Sequence, residues 1–282
     1  MKNLYNCIII FCLCVLCISC TTKQKPDTEN VGLKGKVKSV REVSYEAFGS
    51  ADTLVQGEIV VTEESPNCYI TYNPQGYIST ITTYDIDNQE ETSWLYHYDK
   101  KGTKLQSAVF FLVGRVLKDS VVYLYEKNRA VELVHYNDEQ EIVKRNHRKF
   151  KQGNIIEERI LTPDNSVEQI SKYIYKKGRL IEGQVYSSDG KLTLSCRYKY
   201  DNKGNMLSTT LFDKDNTYTN KISYHYNAEG FPIVEVKQRA GYTTLQLNNI
   251  YVTDQMGNWT QRIMLCEDEA FKITKREIEY YN

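Results

Sequence analysis

Four histidines, His97, His135, His147 and His225, are the first side chains to examine for chemistry. An imidazole titrates near neutral pH and ligates zinc, so two brought together could hold a metal or shuttle a proton. His97 and His225 sit at the same place inside a Tyr-His-Tyr triplet, but on segments far apart in the chain. No paired-histidine helix motif, nucleophile elbow or phosphate-cradling glycine loop accompanies them. His97 and His225 therefore read as exposed strand histidines, and no catalytic, cofactor-binding or metal residue is assigned. The turns Asp85-Ile86-Asp87-Asn88 and Asp213-Lys214-Asp215-Asn216 offer oxygens like the first half of a calcium loop. They lack its glycine at the sixth position and its distal glutamate. Asp and Asn also close tight turns through their own side-chain hydrogen bonds, and that is the simpler reading.

The thiols divide by position. Five of the eight cysteines lie within the first 20 residues, leaving Cys68, Cys196 and Cys266 in the body. An odd, widely spaced set is neither a disulfide framework nor a zinc site. Ahead of them, Lys2 and the apolar run Cys7–Ser19 have the charge and length of a secretory signal, and the run is short for a membrane-spanning helix. Small Ser19 followed by Cys20 resembles a bacterial lipoprotein signal, although Cys17 stands where such signals usually carry leucine. The resemblance implies a signal peptide over 1–19 and a diacylated Cys20 as the mature N-terminus. Residues 20–32 would then be a polar tether, and the membrane a partner through that lipid.

The elements that must position all other groups follow from composition and repetition. The formal charge is zero, from 36 basic and 36 acidic side chains, so no net field draws nucleic acid or an anionic membrane. Tyrosine, with 23 copies against 8 Phe, suits half-buried pleated strands because its ring is apolar and its tip polar. An aromatic-x-aromatic pair followed by Asp or Asn and then Gly recurs along the chain. Its second aromatic falls at Tyr72, Tyr98, Tyr125, Phe150, Tyr175, Tyr200 and Tyr226, with an eighth, looser copy at Thr253. The spacing of 25 to 27 residues is that of a repeat architecture. Within Cys196-Arg197-Tyr198-Lys199-Tyr200 the period is two, which places an aromatic stripe on one strand face and charge on the other. Each unit reads strand, turn, strand, turn, and no segment sustains a helical period. Cys68 and Cys196 both fall four residues before an anchor, on the aromatic face, and read as small buried core groups.

Tyr198-Lys199-Tyr200-Asp201-Asn202-Lys203-Gly204-Asn205 resembles the tyrosine–aspartate (YD, or Rhs-type) repeat. The longer unit, with Leu33-Lys34-Gly35-Lys36-Val37 opening the mature region, is similar to repeat lipoproteins of Bacteroidetes-type bacteria. The likeness runs from about residue 33 to the C-terminus, tightest over 173–230, and loosens at Arg148-Lys149-Phe150, where the first aromatic is lost. It implies long β-hairpins, sometimes curled into a shell, outside the cytoplasm; it implies no reaction.

The expected fold is all-β: successive antiparallel hairpin repeats over residues 33–282, about eight units and sixteen strands, forming one long twisted or curled sheet. The expected function is a non-enzymatic, lipid-anchored envelope or surface module that binds an unknown protein or glycan over a broad aromatic face, or scaffolds the envelope. The alternatives are a hydrolase acting on envelope or dietary glycans and a shell fragment related to Rhs-type cages. No cofactor and no nucleic-acid partner is expected.

Overall fold

The computed structural model describes residues 25–62, 65 and 67–282. The expected signal 1–19 and the acyl acceptor Cys20 lie outside them. Nineteen strands follow one another: β1 (Val37–Phe48), β2 (Val55–Ile59), β3 (Asn67–Tyr72), β4 (Ile78–Tyr84), β5 (Glu90–Tyr98), β6 (Leu105–Leu112), β7 (Val116–Glu126), β8 (Arg129–Asn137), β9 (Ile142–Lys151) and β10 (Asn154–Leu161). The series continues with β11 (Val167–Lys176), β12 (Arg179–Ser187), β13 (Leu192–Tyr200), β14 (Met206–Asp213), β15 (Tyr218–Tyr226), β16 (Pro232–Arg239), β17 (Leu245–Thr253), β18 (Trp259–Cys266) and β19 (Glu269–Tyr280). Among the described residues a short helix, α1 (Asp27–Asn30), precedes them.

The turns explain why the repeat carries Asp or Asn after its tyrosine. In the longer turns that residue's Oδ1 accepts backbone N–H groups two to five residues on: Asp99 from Thr103 and Lys104, Asp201 from Gly204 and Asn205, Asp213 from Asp215 and Thr217. The same device holds Asp85, so the acidic turns are turn chemistry. Among the described residues no group of three or more His, Cys, Asp or Glu could hold a metal ion. The two-residue turns Lys127-Asn128 and Lys177-Gly178 have positive φ at both positions, the twist that matches antiparallel strands. That is why the β7–β8 turn works without a glycine: Asn128 tolerates the left-handed region.

In three copies the second tyrosine of the motif has a specific task. Tyr98 OH donates to the Ile78 carbonyl, Tyr125 OH to Leu105 and Tyr226 OH to Met206, each 2.7 Å and each twenty residues back. Every receiving residue sits where a register shift interrupts the preceding hairpin's ladder. A β-bulge disrupts ladder pairing locally, and a hydroxyl from the next unit supplies a partner. Successive units are thereby locked in register.

The sheet does not stay open. β1 pairs with β19 from Val37↔Tyr280 to Glu46↔Lys272, and on its other edge with β3 from Ser39↔Thr71 to Glu42↔Cys68. The expected open or curled sheet is thus corrected to a closed barrel of 18 strands, with β2 paired to the far end of β1. Twist accumulated over so many strands brings the ends together, and closure removes the two unpaired edges. β1 and β19 are the longest strands, 12 residues each, so the seam has the length to seal. Tyr281 completes it: its N–H donates to the Lys36 carbonyl and its hydroxyl to the Tyr72 carbonyl at 2.6 Å. Among the described residues no disulfide takes part in the seam.

Burial identifies the concave face. On β13, Cys196 and Tyr198 are buried while Thr193, Arg197 and Lys199 are exposed; on β11, Ser171 and Tyr173 are buried while Lys172, Ile174 and Lys176 are exposed. Curvature crowds the inner side chains and splays the outer ones, so the aromatic stripe lines the inside. Apolar groups gather in patches between neighbouring strands, such as Ile155, Tyr173, Leu180, Cys196 and Tyr198 across β10–β13. Eighteen strands are in the range at which barrels enclose a lumen. Residues 26–32, inside the stretch expected to be tether, have structure of their own. Thr28 N donates to the Gly76 carbonyl and Asp27 Oδ2 accepts from Ile78 N at 2.9 Å, which docks α1 on the β3–β4 turn.

Candidate functional site

The inner face departs from its aromatic pattern on β7 to β10, and that is where polar groups converge. Strand β9 points Lys144, Asn146, Arg148 and Phe150 inward, as their pairing partners require: Lys144 lies opposite His135 and Asn146 opposite Leu133 on β8. On the other side Arg148 lies opposite Glu158 of β10. Asp119 joins from β7, on the same face as Val121, which pairs with His135. Arg148 Nε donates to Glu158 Oε1 at 2.6 Å, with both side chains largely shielded from water.

The rest of the group is less evenly satisfied. Asp119 Oδ1, His135 Nε2 and Asn146 Oδ1 are buried without a hydrogen-bond partner. Burial, assisted by the positive charge of Lys144 and Arg148, pushes the His135 imidazole down to about 4. Burial also raises the Asp119 carboxyl, against the pull of Lys144. At neutral pH His135 is therefore a neutral hydrogen-bonding group, and Arg148 is already neutralised by Glu158. Such a cluster can hold polar groups of a ligand. Elsewhere, the Cys68 thiol is pushed up to about 12 by burial and by Glu42, so it carries no thiolate at physiological pH.

A pH dependence follows from His135. Its folded value lies below the ordinary 6.5, so the unfolded chain takes the proton first as pH falls. The stabilisation is complete above about 6.5 and is lost progressively down to about 4, amounting to about 2 kcal/mol after allowance for partial solvent screening. Denaturant unfolding at pH 7, 5 and 4 should show His135→Gln losing less stability on acidification than the natural chain. Equal slopes would remove His135 from the acid response.

A second polar insertion lies near the seam. Arg276 of β19 stacks 3.5 Å from the Trp259 ring centroid and bonds Glu42 Oε2 of β1 at 2.6 Å. Tyr251 stacks on Phe231 at 5.0 Å and meets Trp259 edge-on at 6.1 Å. These contacts tie the β15–β16 turn to β17, β18, β19 and β1 across the closing strands.

The residues singled out in the sequence are placed as follows. His97 and His225 are exposed on the outer face, on β5 and β15, eight strands apart by the shorter way around a ring of 18. His147 also faces outward, 3.4 Å from Glu132, whereas His135 faces inward. The structure brings no two histidines into one site. Tyr72 is buried; Tyr98, Tyr125, Phe150, Tyr175, Tyr200 and Tyr226 are half-buried on the inner face. Cys68 and Cys196 are buried as expected, and Cys266 is half-buried. The Asp119–His135–Arg148–Glu158 group was not assigned from sequence. Its one sequence signal is the lost aromatic at Arg148, where a charge occupies a tyrosine slot.

Residues 119–257 match a family described as "Uncharacterised protein", and they include this group. No curated protein matches. The chain is similar to a porin-like protein from Bacteroides uniformis, at 9% identity and a TM-score of 0.42, with 87% of this chain and 98% of that one covered. It is similar to a porin-like protein from Bacteroides vulgatus at 10% identity and a TM-score of 0.27, covering 87% and 99% of the two chains. It is also similar to part of the Photorhabdus luminescens Tc holotoxin pore structure, at 12% identity and a TM-score of 0.29, covering 75% of this chain and 16% of that one.

Proposed function

We propose that this chain is a non-enzymatic module of the cell envelope, exported by residues 1–19, tethered through acyl chains on Cys20, and working as a water-exposed binding or scaffolding barrel. The observation that carries the reading is the chemistry of the outer face. Lys172, Arg197 and Lys199 stand exposed within the strands, and Arg145, Lys149, Glu157 and Arg159 share that outward face on β9 and β10. A barrel that spans a bilayer needs an apolar outer band, and each Arg or Lys at its midplane costs about 2–4 kcal/mol. Here the apolar stripe points inward, the reverse of a pore in lipid.

The outer charges are ordered as a water-facing skin. Arg41, Lys172 and Arg197 lie over the outward rings of Tyr84, Tyr186 and Phe212, 4.3, 4.7 and 4.3 Å from the centroids. A broad aromatic face for a partner, expected of an open sheet, is not what the barrel presents. A protein or glycan partner meets these charged rows or the rims, and a small ligand meets the polar group around His135.

Localisation and topology can be tested together. Mass spectrometry of the native chain should find a diacylated N-terminal Cys20. With an ordinary cleavable secretory signal placed directly ahead of Thr21, the barrel should be recovered folded and soluble without detergent. Recovery only in the membrane fraction, with detergent needed to release it, would overturn the reading in favour of a lipid-embedded barrel.

A further inference from the structure

The zero formal charge conceals a segregation along the barrel axis. Because every neighbouring pair of strands is antiparallel, alternate turns lie at opposite ends. The end reached by the tyrosine anchors bears Asp99-Lys100-Lys101-Gly102, Glu126-Lys127-Asn128-Arg129 and Lys176-Lys177-Gly178-Arg179. The other end bears Asp85-Ile86-Asp87-Asn88, Asp138-Glu139-Gln140-Glu141 and Glu267-Asp268-Glu269. With one flanking residue on each side of every turn, and residues 25–37 included, the first rim holds 13 Lys or Arg against 7 Asp or Glu. Counted the same way over the described residues, the second holds 4 against 14. The molecule is an axial dipole with a basic and an acidic rim.

The N-terminal segment leaves from the basic rim. α1 is docked on the β3–β4 turn through Thr28 N and Asp27, and Lys34 N donates to Asn258 Oδ1 in the β17–β18 turn at 2.7 Å. Residues 20–25 span at most about 20 Å when fully extended. An acyl chain on Cys20 thus holds the basic rim, and not the acidic one, against the bilayer.

We propose that the basic rim is a docking surface for a phospholipid bilayer bearing anionic headgroups, and that it sets the barrel upright with its acidic rim turned away. The proposal rests on the lipid reading of Cys20 for its direction. The physics is additive: each Lys or Arg near an anionic surface strengthens attachment, the attraction decays within a Debye length, and one acyl signal plus a basic patch holds better than either.

The test uses the full chain carrying Cys20→Ser, which removes the acyl chain and leaves the rim. Apolar insertion by the leader does not depend on headgroup charge, so the readout is the ratio of binding to phosphatidylglycerol-containing vesicles over pure phosphatidylcholine vesicles. Co-sedimentation at low salt should give a ratio of at least about tenfold, collapsing toward one in about 0.5 M salt. Lys100→Glu, Lys101→Glu, Lys176→Glu and Lys203→Glu together should abolish the preference. These four side chains are exposed turn or strand-end residues, and circular dichroism checks that the variant is folded. Asp138→Asn with Glu139→Gln, on the opposite rim, should leave the ratio unchanged. A ratio near one in the parent, or equal effects from the two rims, would overturn the proposal. Absence of acyl on native Cys20, with the ratio intact, would instead remove the tether and leave the rim as a lipid-binding surface.

Discussion

A chain truncated after Asp268 should fail to fold. The truncation removes β19, which pairs with β18 on one edge and β1 on the other, and takes away Ala270, Ile273 and Thr274, all buried. It also uncovers Ala47, Ile263 and Leu265, which pack against Ala270 and Ile273. Apolar burial at about 25 cal/mol per Å² and net hydrogen bonds of about 1 kcal/mol each sum to more than about 10 kcal/mol over two lost ladders, comparable with the stability of a whole domain. Pulse proteolysis and near-ultraviolet circular dichroism should report loss of protection and of fixed aromatic packing throughout the chain. An open repeat array behaves differently: removing its last strand costs one neighbour interface and leaves the remainder standing. A truncated chain that still unfolds cooperatively near the parent midpoint would therefore contradict closure.

Arg148→Ala should destabilise the barrel by about 3–5 kcal/mol, because it leaves the Glu158 carboxylate shielded from water with no counter-charge. Glu158 is 9% exposed, and its partner is held at 2.6 Å. The double variant Arg148→Met with Glu158→Leu should recover most of that loss, since apolar replacements of similar volume remove both desolvation costs. Urea midpoints for the two single variants and the double one form a cycle that separates the pair's coupling from the cost of orphaning one partner. A loss below about 1 kcal/mol for Arg148→Ala would show that water reaches the pair, as in surface ion pairs. Ligand binding provides a further readout: if the group around His135 holds a small molecule, the double variant should keep its fold and lose the ligand.

The two expected results probe different levels of legibility. The hairpins could be read directly, because period-two alternation and turn residues act over a few neighbours. Tyr198 and Cys196 fall on one face and Arg197 and Lys199 on the other whatever the sheet does next. The hydroxyl bond from Tyr98 to the Ile78 carbonyl was not legible. It depends on a register shift at the β3–β4 hairpin that no local pattern announces. Arg148 was visible as a break in the motif. Its meaning needed Glu158, ten residues away across a turn and opposite it in the register.

By itself the sequence determined an all-β chain of tyrosine-marked hairpins and their parity. Tertiary structure alone decided that the sheet closes, since β1 and β19 are separated by nearly the whole chain and meet only through accumulated twist. Closure then decided which face is inside, placing the aromatic stripe out of a large partner's reach. It also turned an apparently neutral mixture of charges into two opposed rims, because antiparallel pairing sorts alternate turns to opposite ends. Net charge is a sum over residues; the field that a membrane or partner meets depends on where those residues are put.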